Sequence, residues 1–348
     1  MNRSIAAALA AAALFGVSTP LAKQLVVSID PLLLAGLLYA GSGIGLGIVV
    51  VVRRMIAARS RTAAALARAD IRWLSAAIAV GGIVGPILLV FGLRATPASS
   101  ASLLLNFESV LTAVVAWLVF REHVAIRTAI GMLCIAGGGV ALAWPGEALS
   151  AQGGALLIVA ACACWALDNN LTRKVSAGDA LSIACLKGLA AGVVNVLLAF
   201  AVGATWPAGK DAAAAALVGF FGYGVSLVLF IVALRGLGAG RTGAYFATAP
   251  FIGAAFALAT GTDALTLPLT LAGVLMAFGV WLHLTERHEH WHEHEALVHE
   301  HAHVHDQHHR HAHDAGWDGR EPHTHRHAHA PLAHSHPHFP DIHHRHGH

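Results

Sequence analysis

Long apolar runs, separated by short polar or Gly/Pro-containing connections, occupy the first 285 residues of the chain. A helix needs about 20 apolar residues to cross roughly 30 Å of hydrocarbon, and these runs have about that length. They lack the alternation of apolar and polar positions that membrane β-barrel strands show. The pattern therefore predicts ten transmembrane helices, at residues 4–26, 31–52, 71–93, 98–120, 126–144, 152–172, 181–202, 212–234, 241–261 and 266–285.

Composition agrees with a lipid bilayer as the surroundings of residues 1–285. The 348 residues are 56% hydrophobic and only 12% charged, whereas residues 286–348 are almost entirely polar. The net charge of +3 comes without a basic cluster interleaved with aromatics, so we expect no nucleic-acid partner. No nucleophile elbow, phosphate loop or zinc-protease helix is present, and we do not expect an enzyme.

The distribution of Lys and Arg predicts how the chain lies in the membrane, because positive residues are retained on the cytoplasmic side. With the N-terminus inside, fourteen basic residues fall in inner connections and three (Lys23, Arg94 and Lys210) in outer ones. An even number of spans returns the C-terminus to the same side. We expect a multi-pass protein of the inner (cytoplasmic) membrane with both termini cytoplasmic.

The two halves of the membrane region resemble each other. An offset of 150 residues places Phe15-Gly16 on Trp165-Ala166, and an offset of 149 places Asp30-Pro31-Leu32 on Asp179-Ala180-Leu181. Five helices per half is an odd number, so the second copy must lie upside down, as in many transporters. The sequence thus predicts an all-α membrane protein with an inverted 5+5 repeat, divided into residues 1–144, 145–285 and a tail at 286–348.

These motifs, together with Leu104-Leu105-Asn106-Phe107-Glu108, resemble the EamA-like proteins of the drug/metabolite transporter superfamily over residues 4–285. The resemblance implies a secondary transporter of small solutes. The chain departs from the family pattern at Ser109, where a proline often follows the acidic residue, and at Leu38, where a basic residue is favoured. Lys187 keeps the basic residue in the second half.

Ionisable and amide side chains inside the spans are the candidate substrate or coupling residues, since each costs at least ~2.5 kcal/mol to insert. Glu108 comes first because it lies about 15 Å into its helix, near the midplane, where a carboxyl could exchange a proton. Its alternative role is a structural carboxyl between helices. Asp168 and Lys187 could pair, or Lys187 could reach the interface. The other candidates are Asn106, Asn169, Asn195 and Thr19.

The tail contains all but two of the 25 histidines, mostly spaced His-x-His. Imidazole is the commonest transition-metal ligand, and alternate residues of an extended segment lie on one side. We expect the tail to bind Ni²⁺, Zn²⁺, Co²⁺ or Cu²⁺ and to be disordered without metal, although a solubilising or pH-buffering role is an alternative. The predicted ligands are His288, His290, His292, His294, His299, His301, His303, His305, His323, His325, His327 and His329.

Three functions compete at this point. The first is a proton-coupled transporter of a small organic solute, with a metal-binding cytoplasmic tail and a homodimer as one assembly to consider. The second is a transporter of nickel, cobalt or zinc that collects ions on its tail. The third, a membrane-anchored metal store, ranks last because ten spans and a repeat exceed what an anchor needs.

Overall fold

A computed structural model describes residues 3–56, 68–120, 126–143, 149–173, 175, 179–285, 289–294, 297–303, 323–329 and 332–337. Up to residue 285 the described chain is helical. The helices are α1 (Arg3–Leu25), α2 (Pro31–Ile56), α3 (Arg68–Ala77), α4 (Gly85–Ala95), α5 (Ala98–Leu104), α6 (Phe107–Phe120), α7 (Ile126–Ala143), α8 (Leu149–Arg173), α9 (Ala180–Ala201), α10 (Gly209–Val218), α11 (Ser226–Phe246), α12 (Ala249–Ala259) and α13 (Leu267–Leu284).

Two π-helical segments interrupt this succession. Ile78–Val84 joins α3 to α4, and Gly219–Val225 joins α10 to α11. Each segment widens the helix at the middle of an otherwise continuous apolar stretch. Such wide turns occur frequently at functional sites.

Length and hydropathy make the chain a multi-pass membrane protein. Within the described residues, seven helical stretches are long and apolar enough to cross a bilayer, and three apolar helices are shorter. The described helices cover the predicted segments, but the predicted spans 98–120 and 241–261 each contain a break. At residues 235–240, where we expected a connection, we find the interior of α11. Three glycines there weaken the helix but do not end it, because no proline removes a backbone hydrogen bond.

The matched aspartates of the sequence repeat begin matched helices. Asp30 Oδ1 accepts a hydrogen bond from Leu32 N at 3.0 Å, before α2. Asp179 Oδ2 accepts one from Ser182 N, also at 3.0 Å, before α9. Each carboxylate satisfies a backbone N–H that has no partner within its helix.

Helix breaks occur at two corresponding places, between α5 and α6 and between α11 and α12. At the first break, Asn106 Nδ2 donates to Leu103 O at 3.0 Å and Ser109 Oγ donates to Asn106 O at 2.7 Å. At the second, Thr248 Oγ1 donates to Tyr245 O at 2.7 Å. Short polar side chains therefore bind the backbone carbonyls that each break releases.

The most extensive helix contacts join one half of the chain to the other. Helix α2 packs on α9, α7 on α13, α1 on α11 and α12, and α8 on α4 and α6. At the α2–α9 contact, a Cβ added to Gly43 would overlap the backbone of Gly188 and Leu189. Small residues of this kind let transmembrane helices approach closely. Both apolar clusters of buried residues draw on both halves.

Four short strands lie in the tail: β1 (Glu289–His294), β2 (Leu297–His303), β3 (His323–His329) and β4 (Leu332–Pro337). β1 pairs antiparallel with β4, and β2 with β3. The disorder that we expected for the metal-free tail stays a prediction, and these four segments are described as paired strands. The low apolar content that suggested it does not prevent backbone pairing between segments of alternating residues.

Candidate functional site

Glu108 stands at the beginning of α6, immediately after the first helix break. Its Oε1 accepts a hydrogen bond from Asn169 Nδ2 of α8 at 2.7 Å. The two residues were separate candidates in the sequence, and the structure brings them together. Because α6 and α8 come from different halves, this bond ties the halves to each other beside the break.

Asp168, the preceding residue of α8, forms a buried ion pair with Lys187 of α9. Lys187 Nζ donates to Asp168 Oδ1 at 2.6 Å and to Oδ2 at 2.8 Å. Thr172 completes the group, since it accepts from Lys187 Nζ at 3.1 Å and donates to Asp168 Oδ1 at 2.8 Å. Lys187 is 5% and Asp168 7% exposed, so Lys187 is paired inside the protein instead of reaching the interface.

The first π-helical segment packs against these groups. Gly81 O accepts hydrogen bonds from Tyr39 Oη at 3.1 Å and from Trp165 Nε1 at 3.0 Å. Gly82 O accepts one from Asn195 Nδ2 at 3.1 Å. Side chains of α2, α8 and α9 thus bind two carbonyls of the same π-helical segment. A Cβ at Gly81 would overlap the Asp168 carboxylate, so the absence of a side chain at Gly81 makes room for the ion pair.

Aromatic rings lie beside the polar groups. The rings of Phe15 and Trp165 meet edge to face with centroids 6.1 Å apart, so the aromatic pair matched by the sequence repeat is in contact. Phe15 also lies 6.0 Å from Tyr223 and 5.4 Å from Phe246, and Tyr39 lies 5.4 Å from Tyr223. The rings come from both halves, and they form an apolar wall next to the buried charges.

Three predicted residues do not join the Glu108–Asn169 or Asp168–Lys187 contacts. Thr19 is buried in α1, four residues after Phe15. Asn106 binds Leu103 O of its own helix break, and Asn195 binds the π-helical segment. The Oδ1 atoms of Asn106 and Asn195 are buried without a hydrogen-bond partner among the described residues.

Tyr39, Tyr223 and Gly81 belong to the same group of contacts, but sequence reasoning did not select them. A signal for the tyrosines was available, because the chain has only three tyrosines and all of them lie inside predicted spans. Nothing in the sequence marks Gly81, because its carbonyl is available to both side chains only through the π-helical geometry.

The predicted metal ligands fall partly on the described tail. His288 and His305 lie outside the described residues, and the other ten predicted histidines belong to β1, β2 and β3. His334 and His336 of β4 follow the same His-x-His spacing but were not selected. Where the structure describes the chain well enough to search, it contains no group of three or more His, Cys, Asp or Glu that could hold a metal ion.

Apolar helices that cross the bilayer repeatedly, two broken helices and buried ionisable groups between two matched halves are the features of a membrane transporter. The EamA-like transporter family matches residues 2–144 and again residues 152–285, so the chain belongs to this family. Membership makes the protein a membrane transporter, which implies a lipid bilayer around it and a small molecule as its substrate.

Individual relatives agree with this assignment. An uncharacterized transporter of Methanothermobacter thermautotrophicus is 27% identical over 281 residues, covering 77% of this chain and 82% of the relative. A solved crystal structure, described only as that of a protein, matches with a TM-score of 0.59 at 19% identity. That match covers 80% of this chain and 95% of the other, and it shows the fold alone.

Proposed function

We propose that the protein is a secondary transporter of a small organic solute across the inner membrane, coupled to protons through Glu108. The observation that carries the proposal is the hydrogen bond between Glu108 and Asn169, which joins the two halves beside a helix break. Both termini lie in the cytoplasm in this proposal, and the tail binds divalent transition metal.

Glu108 is suited to proton exchange because its partner is a neutral amide. Asp168, by contrast, forms an ion pair with the positively charged Lys187. Asn169 Nδ2 is a donor, so its bond is strongest to an ionised Glu108 and weakens when the carboxyl becomes neutral. A proton on Glu108 therefore loosens α6 from α8, which links proton occupancy to the relative position of the halves.

The test uses proteoliposomes that contain a pH-sensitive dye. Pools of amino acids, polyamines, nucleosides and small carboxylates are added outside, and the pools that drive a proton flux are resolved into single compounds. Glu108→Gln keeps the shape and an acceptor for Asn169 but cannot exchange a proton. We expect it to abolish substrate-driven proton flux, whereas the control Asp211→Asn, at the beginning of α10, retains it.

Two outcomes contradict different parts of the proposal. If Glu108→Gln transports with an unchanged pH dependence, proton coupling through this residue is ruled out, but the proposal of a solute transporter is not. If no organic pool drives a flux but a metal ion is transported in the same vesicles, the substrate is a metal ion and not an organic solute.

Transport of nickel, cobalt or zinc is the second candidate, and the histidine-rich tail is the observation that favours it. The described membrane helices offer no converging set of metal ligands, which is why it ranks second. Uptake and efflux of Ni²⁺, Zn²⁺ and Co²⁺ would be compared for the full chain and for a chain ending at Arg287. No flux of any of these ions in either protein eliminates this candidate.

A further inference from the structure

The strand pairs of the tail place histidines directly opposite one another. In the β2–β3 pair, His299 lies opposite His327, His301 opposite His325, and His303 opposite His323. In the β1–β4 pair, His290 lies opposite His336 and His292 opposite His334. The register therefore brings together histidines that are at least 20 residues apart in the chain.

Alternation along each strand collects these histidines on one face. Alternate residues of a strand share a face, and directly opposed residues of an antiparallel pair share that face too. The β2–β3 histidine face is shared by all seven histidines of the pair and Leu297. The opposite face has residues of other types, including the opposed charges of Glu300 and Arg326.

Two neighbouring opposed pairs make a set of four imidazoles. Opposed Cα atoms in an antiparallel pair lie about 5 Å apart, and next-but-one residues along a strand are about 7 Å apart. Those spacings suit imidazoles that share one ion, and four nitrogen ligands match the coordination number of zinc and the preferences of cobalt, nickel and copper. The pair His301–His325 belongs to every such set on β2–β3.

We propose that each strand pair is a binding site for one divalent transition-metal ion, built on His301–His325 with a neighbouring opposed pair in β2–β3, and on His290, His292, His334 and His336 in β1–β4. The ion ties residues 289–303 to residues 323–337. This inference rests on the proposed metal binding by the tail and adds which histidines act together. Separate His-x-His units, each acting within its own segment, would not need the register.

The first test measures Co²⁺ and Zn²⁺ binding to the full-length protein in detergent micelles, using the visible absorption of bound Co²⁺ and its displacement by Zn²⁺. A variant with His292, His301, His325 and His334 all changed to Ala removes two opposed pairs. A matched control changes His308, His309, His311 and His313 to Ala, four histidines outside the strand pairs. We expect the first variant to lose at least about tenfold in affinity, a loss that even a residue outside the ligand shell can cause, and the control to bind like the unchanged protein.

Different outcomes test the strand-pair sites and metal binding by the tail separately. Equal weakening of both variants, or of neither, overturns the strand-pair sites while leaving the tail as a metal binder. Absence of any difference in binding between the full chain and a chain ending at Arg287 overturns metal binding by the tail altogether.

A second test measures directly whether the metal ion holds β2 and β3 together. Spin labels at Val298→Cys and Ala328→Cys, which are opposed positions on the face away from the histidines, are placed in a chain whose native cysteines are replaced by Ala. We expect Zn²⁺ to sharpen the distance distribution to a single short separation in this chain but not in the four-histidine variant. A distribution that Zn²⁺ leaves unchanged contradicts closure by the metal.

Discussion

Glu108, which is half-buried, and Asp168, which is buried, bind neighbouring groups in different ways. Asp168 receives Lys187 and Thr172, so a full positive charge and a hydroxyl balance its negative charge. Glu108 receives a neutral amide from Asn169. In the proposed mechanism these contrasting surroundings separate two roles, because Asp168 holds the structure while Glu108 exchanges the proton.

The buried ion pair predicts a non-additive effect on stability. Asp168→Asn and Lys187→Met should each lower the free energy of unfolding by about 3–5 kcal/mol, because each leaves one buried charge without its partner. The double variant should lose less than the sum, since neither charge remains. Titration with SDS in mixed micelles measures all three proteins.

Lys210→Met, a change of an exposed lysine at the beginning of α10, is the control and should change the free energy of unfolding little. Additive losses in the double variant would show that Asp168 and Lys187 do not depend on each other.

Sequence reasoning at this scale identified the charged and amide residues but not their partners. The cost of inserting ionisable groups into hydrocarbon marks Glu108, Asp168 and Lys187 without any alignment. The contact between Glu108 and Asn169 depends on how α6 rests on α8, and no spacing along the chain encodes that. Tyr39 was missed because its partner is a backbone carbonyl.

At the scale of the elements, helix ends were easier to predict than helix irregularities. Asp30 and Asp179 are short acidic side chains before apolar runs, and both begin helices as that position favours. The π-helical segments and the break after Leu104 lie inside uniformly apolar stretches. Carbonyls of the first π-helical segment accept hydrogen bonds from side chains of α2, α8 and α9, so only the packed structure determines where that segment occurs.

The π-helical segment next to the ion pair predicts that Gly81 cannot accept a side chain. Gly81→Ala places a methyl group on the Asp168 carboxylate, so the ion pair must separate or the segment must move. We expect a loss of stability comparable to that of Asp168→Asn, together with reduced transport.

Gly153→Ala in α8 is the matched control, because nothing lies within 4 Å of a Cβ there. Because Ala prefers a helix more than Gly does, Gly153→Ala should leave the free energy of unfolding unchanged or raise it by up to about 1 kcal/mol. SDS titration and the vesicle assay compare the two variants, and equal behaviour would show that Asp168 accommodates the methyl group freely.

At the scale of the whole molecule, the proposed orientation can be measured independently of transport. Single cysteines at Arg61 and at His348, in a chain whose native cysteines are replaced by Ala, should react with an impermeant maleimide only after the inner face of the membrane is opened. A cysteine at Lys210 should react from outside, because basic residues are scarce on that side of the proposed topology. Labelling of positions 61 and 348 from opposite sides would contradict an even number of crossings.

The repeat seen in the sequence predicted two related halves, and the chain matches one family twice. The sequence could not show that the most extensive contacts run between the halves, because the periodicity of an apolar helix does not identify its neighbour in a membrane. Helix α2 on α9 and α7 on α13 are contacts between corresponding helices of the two halves.

Because the halves complete one another, the covalent connection between α7 and α8 contributes little to holding them together. Two fragments, residues 1–146 and 147–348, should assemble when produced in the same cell and should co-purify through a tag on either one. Each fragment produced alone would leave the close-packing glycines of α2 or α9 facing lipid and should be degraded. A fragment that accumulates and stays folded without its counterpart would show that five helices suffice for a stable unit.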